Sequence, residues 1–205
     1  MREMISAPDA RLFVAVDPPI EVREELAAWA RTAIRGLGVR GGGGGGGGGS
    51  ASVRVLDPEL LHVTLCFLGD RPVAEIAAIG EALEECAMFV GELAIGAPLW
   101  LPPRRPRALA VEVREDSGGG LAALHGALVG ALARACGHRG ERRRFRAHVT
   151  LARMRDGPRG SAGERVLPAT PALSFRPASI VLYRSWRSPA GASYEALATR
   201  TLIPS

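Results

Sequence analysis

The sequence of 205 residues contains no lysine: all 26 of its Lys-plus-Arg positions are arginine. What remains is the planar guanidinium fork, which suits bidentate contact with phosphate better than a compact ammonium does. The absence itself is read as compositional bias, but the formal charge of +5 is compatible with a polyanionic partner. Cysteine is nearly as sparse. Cys66, Cys86 and Cys136 are widely spaced, form no Cys-x-x-Cys pair and leave one over from any disulfide. That excludes a disulfide framework and makes a reducing, cytoplasmic location the expectation. No uncharged run reaches the roughly 18 residues needed to span a bilayer, and Met1–Ala10 has acidic residues and a proline where a signal peptide would be apolar. Membrane insertion and secretion are therefore not expected. With 47% hydrophobic residues, a disordered or fibrous chain is excluded too, and the length suits one compact domain or two small fused halves.

What is present, and present twice, is the tetrapeptide His-Val-Thr-Leu, at His62–Leu65 and His148–Leu151. Each copy lies in an apolar run that reads as a strand. Histidine ionises near neutrality, so two of them brought together could divide the roles of acid and base. The densest arginine cluster, Arg142, Arg143, Arg144 and Arg146, runs directly into the second copy and is read as phosphate-directed.

The rest of the chain frames these motifs. Arg11–Val16 is a short strand. Asp17-Pro18-Pro19 offers a cap and first-turn prolines, and Ile20, Val22, Leu26, Trp29, Ala30, Ala33 and Ile34 then recur at helical spacing up to Gly36. Trp29 is core or a half-buried anchor. Nine glycines, Gly41–Gly49, cannot hold a regular element and are read as a flexible surface loop whose deletion leaves catalysis largely intact. They lack the Gly-Lys-Ser/Thr ending of a P-loop. Val53–Leu56 and Leu61–Leu68 read as strands, Val73–Phe89 as an amphipathic helix with Ile76, Ile79, Leu83 and Cys86 inward, and Leu93–Trp100 as a strand. After Pro102, Pro103 and Pro106 the plan repeats: Arg107–Val113 parallels Arg11–Val16, Leu121–Cys136 parallels the first helix, and Phe145–Arg153 parallels the first histidine strand. Ser179–Trp186, a Pro189-Ala190-Gly191 turn and Tyr194–Leu202 form a hairpin. The fold class is α+β: duplicated strand-helix-strand halves with pseudo-twofold symmetry, antiparallel sheets lining a central groove that holds both His-x-Thr motifs. The whole chain, 1–205, is expected to be a single bilobal domain with lobes at roughly 11–100 and 105–205.

Strict alternation sends His62, Thr64 and Cys66 to one face and Val63, Leu65 and Phe67 to the other, making Phe67 core. The same alternation points Arg153 away from His148, so a role for Arg153 in holding phosphate requires the strand to end or bulge. A zinc site from His62, Cys66 and His148 has suitable ligand types but no ordinary spacing or fourth partner. His125, in a helix, and His138, in a Gly-rich turn, are read as structural or exposed.

The segments His62-Val-Thr-Leu-Cys-Phe-Leu-Gly69 and His148-Val-Thr-Leu-Ala-Arg153 resemble the paired signatures of the two-histidine phosphoesterases, and within them the RNA 2′,3′-cyclic phosphodiesterase, or 2′-5′ RNA ligase, family. The similarity extends from Arg11-Leu-Phe-Val-Ala-Val-Asp17 to Pro189-Ala-Gly-Ala-Ser-Tyr-Glu195, and the polyglycine departs from it. The resemblance implies hydrolysis of RNA 2′,3′-cyclic phosphate ends to 2′-phosphomonoesters without metal or cofactor, together with reversible 2′-5′ joining. It implies His62 as proton donor and His148 as proton acceptor, with Thr64, Thr150 and Arg153 binding the phosphate. The expected partner is RNA with such termini, and the expected state is a monomer. Two other readings stay open: a phosphodiesterase for small cyclic nucleotides or ADP-ribose cyclic phosphate, and a non-catalytic RNA- or nucleotide-binding module.

Overall fold

The computed structural model describes residues 8–36, 52–86, 89–103, 105–115, 119–141, 143–155, 167–188 and 191–203. Gly41–Gly49, Arg142 and the turn residues Pro189 and Ala190 lie outside them. Nine strands and three helices follow in the order β1 (Asp9–Val16), α1 (Ile20–Gly36), β2 (Ser52–Val55), β3 (Val63–Pro72), α2 (Ile76–Glu84), β4 (Leu93–Leu101), β5 (Ala108–Glu115), α3 (Gly120–Cys136), β6 (His148–Arg155), β7 (Ser174–Phe175), β8 (Ser179–Ser188) and β9 (Gly191–Thr201). Single 3-10 turns at Pro58–Leu60 and Val73–Glu75 precede β3 and α2, so the expected Val73–Phe89 helix begins in a tighter turn and is shorter. Cys86 lies just beyond its last turn, still buried.

All the strands among the described residues join one antiparallel sheet, ordered β7-β4-β5-β6-β3-β1-β8-β9, with β2 added beside β6. The order is its own mirror image about the β6–β3 junction. β4-β5-β6 answers β8-β1-β3, so the duplication seen in the sequence is a twofold of the sheet. Each half of the sheet takes an outer strand from the other half of the sequence, β4 lying beside β5 and β8 beside β1. At the junction the described pairing is one residue pair, Val63 with Val149. The sheet curls into a half-barrel.

One face of this sheet packs on the helices. Leu12, Val14, Val16, Val63, Val111, Val149 and Leu151 share a core with Leu26 of α1, Ile79 and Leu83 of α2, and Leu124, Leu128 and Leu132 of α3. Burying such side chains contributes about 1.5–3 kcal/mol each. The ends of α3 are set locally. The Glu115 carboxylate accepts from the backbone N–H of Gly120 and Leu121, and Gly137 closes the helix at φ 64°, a conformation that favours glycine. Trp29 is a half-buried anchor, its indole N–H donating to the Ala169 carbonyl at 2.8 Å. Among the described residues the opposite face of the sheet carries no helix, and the His and Thr of both motifs lie on it.

Candidate active site

The two motifs share a feature that the sequence does not announce. β1 pairs Ala15 with Thr64 but Val14 with Cys66, so Leu65 is an extra residue; β5 pairs Ala110 with Thr150 but Leu109 with Ala152, so Leu151 is extra in the same way. Each His-Val-Thr-Leu therefore ends in a β-bulge at its leucine. A bulge reverses the alternation beyond it. The expected facing of the first strand is corrected accordingly: Leu65 and Cys66 are both buried, and Phe67, expected in the core, is 41% exposed on the groove face. The same device in β6 turns Arg153, an exposed residue paired with Ala108, to the groove face. The bulge that a role for Arg153 requires is thus present.

Upstream of the bulges the alternation holds. Val63 and Val149 point into the core, so His62, Thr64, His148 and Thr150 occupy the groove face, all half-buried. Because the Val63–Val149 pairing is antiparallel, His62 lies on the Thr150 side of that pair and His148 on the Thr64 side. The structure thus brings together all five residues singled out for the site. It does not bring Cys66, which faces the helices with a thiol pushed up to about 12 by burial; no zinc site can combine it with His62 and His148.

Both imidazoles are oriented alike. His62 Nδ1 lies 2.8 Å from the Leu60 carbonyl and His148 Nδ1 lies 2.8 Å from the Arg146 carbonyl, each two residues back. A carbonyl only accepts, so each Nδ1 carries the hydrogen and each neutral ring keeps an unprotonated Nε2. The carboxylates are also paired by the twofold: Asp17 follows Val16, the partner of Val63, and Glu112 follows Val111, the partner of Val149. Asp17 accepts from the Tyr183 hydroxyl, while Glu112 is held by Arg114 at 2.6 Å and Arg146 at 3.7 Å.

The surroundings of the two histidines then diverge. Phe13 stacks on His62 with centroids 4.8 Å apart and on Tyr183 at 5.2 Å, and Tyr194 meets Phe13 and His62 edge-on at 4.9 and 5.3 Å. Burial within this aromatic wall lowers the pKa of His62 below its ordinary value. The Leu60 carbonyl and Asp17 oppose the shift, and Arg153 and His148 add to it, which places both residues within electrostatic reach of His62. Burial likewise raises the pKa of Tyr194, with Arg153 opposing. Phe13, Tyr183, Tyr194 and Asp17 are members of the site that sequence reasoning misses. The available signal is parity, since Phe13 lies two residues from Ala15, the strand partner of Thr64.

Beyond Arg153, Arg54 of β2 is its register partner and shares its face. The Arg54 guanidinium comes so close to Gly191 that a Cβ there would lie 2.5 Å from it, and φ of 139° also restricts that position to glycine. At the other end of the groove the Arg11 guanidinium lies 4.5 Å over the Phe67 ring. Among the described residues no group of three or more His, Cys, Asp or Glu side chains could hold a metal ion.

The family model of the 2′-5′ RNA ligase superfamily matches residues 53–188, a span that contains both motifs. An RNA 2′,3′-cyclic phosphodiesterase of Archaeoglobus fulgidus is 31% identical over 147 residues, 71% of this chain and 73% of that protein. Among solved structures, a protein of Thermus thermophilus superposes with a TM-score of 0.73 at 26% identity, covering 94% of this chain and 97% of the other. E. coli LigT complexed with 3′-AMP superposes at 0.72 and 24% identity, with 96% and 99% covered.

Proposed function

The chain belongs to the 2′-5′ RNA ligase superfamily of two-histidine phosphoesterases, and on that premise we propose that it hydrolyses RNA 2′,3′-cyclic phosphate ends to 2′-phosphomonoesters. The observation that carries the reading is the pair of identically oriented imidazoles on one face, flanking the Val63–Val149 junction. The Archaeoglobus relative is named an RNA 2′,3′-cyclic phosphodiesterase, and the crystallised LigT complex holds 3′-AMP.

The reaction needs a base on one side of phosphorus and an acid on the other. His148 Nε2 takes a proton from water as its oxygen bonds to phosphorus; the P–O3′ bond breaks, and His62 Nε2 delivers a proton to the departing O3′. The phosphate stays on O2′, and solvent resets both rings. A 5′-hydroxyl in place of water gives a 2′-5′ phosphodiester by the same steps. Burial keeps free His62 neutral, but the cyclic phosphate is an anion, and its approach favours the protonated ring. Substrate thus charges its own acid. The Thr64 and Thr150 hydroxyls donate to the nonbridging oxygens, and Arg153 supplies a fork of charge beside them. Phe67, exposed in the groove at the position related by the twofold to Arg153, offers a stacking face to the terminal base. The scheme calls on no metal and treats 1–205 as one bilobal domain.

The test is incubation with a short RNA ending in 2′,3′-cyclic phosphate in excess EDTA, beside His62→Ala and His148→Ala, resolving 2′- from 3′-phosphate. Formation of the 2′-phosphate by the unmutated protein and its loss in both variants, by at least about 100-fold, is expected. Undiminished turnover in both variants would refute the assignment.

A further inference from the structure

The site described above uses the groove face only near the β3–β6 junction, yet a second recess opens where β1 begins and β8 ends. It has a volume of about 250 Å³ and is lined by Asp9, Arg11, Asp70, Arg184, Ser185 and Trp186. Trp186 is 47% exposed, and the Arg184 guanidinium lies 3.9 Å over its ring. Arg11 belongs to both places: it lines this recess, reaches Asp70 at 3.8 Å and covers Phe67 in the groove. The volume is smaller than the 300–1,000 Å³ or so of an ordinary ligand pocket, which suits one flat ring rather than a whole nucleotide cofactor. An exposed indole and two guanidiniums make a stacking platform, and the carboxylates of Asp9 and Asp70 are acceptors that repel phosphate but suit the amino groups of a base.

We propose that this recess is a nucleobase subsite for single-stranded RNA lying upstream of the reacting end. Resting on the RNA-end reading above, it deepens that reading: the preferred substrate is an oligonucleotide, not a cyclic mononucleotide. Arg11 is four residues from Ala15, the strand partner of Thr64, or roughly 13 Å along β1. A base stacked on Phe67 ends against Arg11, which covers that ring, so a mononucleotide seated at the histidines stops at the edge of the recess. The aromatic face runs from His62 through Phe13 and its register partner Phe67 to Arg11. Arg184, the register partner of core-facing Leu12, and Trp186 two residues on leave β8 on the other side, so the RNA reaches them by passing over the start of β1. Because the acceptors are carboxylates, the subsite favours adenine, guanine or cytosine, which carry exocyclic amines, over uracil.

The experiment compares the unmutated protein with Trp186→Ala, Trp186→Phe and Asp70→Asn. Each is assayed for turnover of a cyclic mononucleotide and of a pentanucleotide with a cyclic phosphate end, and for binding of the same pentanucleotide ending in 2′-phosphate by fluorescence anisotropy. Trp186→Ala is expected to raise KM and Kd for the pentanucleotide about tenfold with kcat and mononucleotide turnover unchanged. Phenylalanine restores most of the loss, and Asp70→Asn narrows the preference for amino-bearing bases. Equal effects on both substrates, or pentanucleotide binding unaltered by Trp186→Ala, would overturn the subsite. If the unmutated protein turns over neither substrate, the hydrolytic reading fails, while the anisotropy series still decides the subsite.

Discussion

Replacing Arg153 with alanine tests whether the bulge at Leu151 sets the site, because strict alternation would put this side chain on the helix-facing side. In the structure Arg153 is paired with Ala108 on the groove face and is close enough to His62 to depress its pKa. A hydrogen bond to a charged group contributes about 1.5–3 kcal/mol once water is excluded, and each 1.4 kcal/mol or so is a factor of ten. Arg153→Ala should therefore lower kcat/KM for a cyclic-phosphate RNA end by roughly 10- to 100-fold. A second effect has an independent readout. Burial is the main cause that lowers the free His62 pKa and Arg153 adds to it, so removing Arg153 raises that pKa, and a kcat/KM profile that requires protonated His62 extends its alkaline limb to higher pH. The assay is the pH dependence of steady-state turnover for the unmutated protein, Arg153→Ala and Arg153→Lys, with lysine recovering the pH effect better than the rate because it lacks the bidentate fork. Rates within about twofold and an unmoved alkaline limb in Arg153→Ala would refute the reasoning.

The aromatic wall and the buried histidines can be tested separately. Phe13→Leu keeps bulk but loses the stacked rings around His62; at about 0.5–1.5 kcal/mol per aromatic pair the cost is roughly 1–3 kcal/mol, read as a Tm drop of about 2–4 °C per kcal/mol, with kcat falling more than KM rises. An unchanged Tm would show that the wall contributes only area. Acid should destabilise the protein in part through His62. Its folded pKa is lowered, so below about 6.5 the unfolded chain binds the extra proton, and stability that is full above that pH is lost as pH falls through the folded value. His125 and His138, also lowered by burial, act with the same sign. In urea titrations His62→Gln should therefore show a smaller fall in stability across that range than the unmutated protein, and an identical fall would contradict the shift.

Local pattern along the chain was enough to place most of the elements and to mark the candidate site. Hydrophobic periodicity placed α1, the repetition of that plan placed α3, the apolar runs placed β1, β3 and β6, and the repeated His-Val-Thr-Leu marked the strands of the candidate site, because spacing dictates which residues share a face within a regular element. The Tyr194–Leu202 hairpin strand was legible for the same reason. Pairing between distant strands decided the rest. Whether Phe67 and Arg153 face helices or groove depends on one unpaired residue per strand, and a bulge is a property of two strands in register, so no single-strand pattern contains it. Nor does local sequence say that β4 crosses to β5 and β8 to β1. That crossing carries Tyr183 and Tyr194 to Phe13 and His62, making chemically different surroundings for two histidines that the sequence presents as equals. Periodicity acts over a few residues, whereas burial, strand order and the field at a titrating ring are sums over parts of the chain that meet only when it folds.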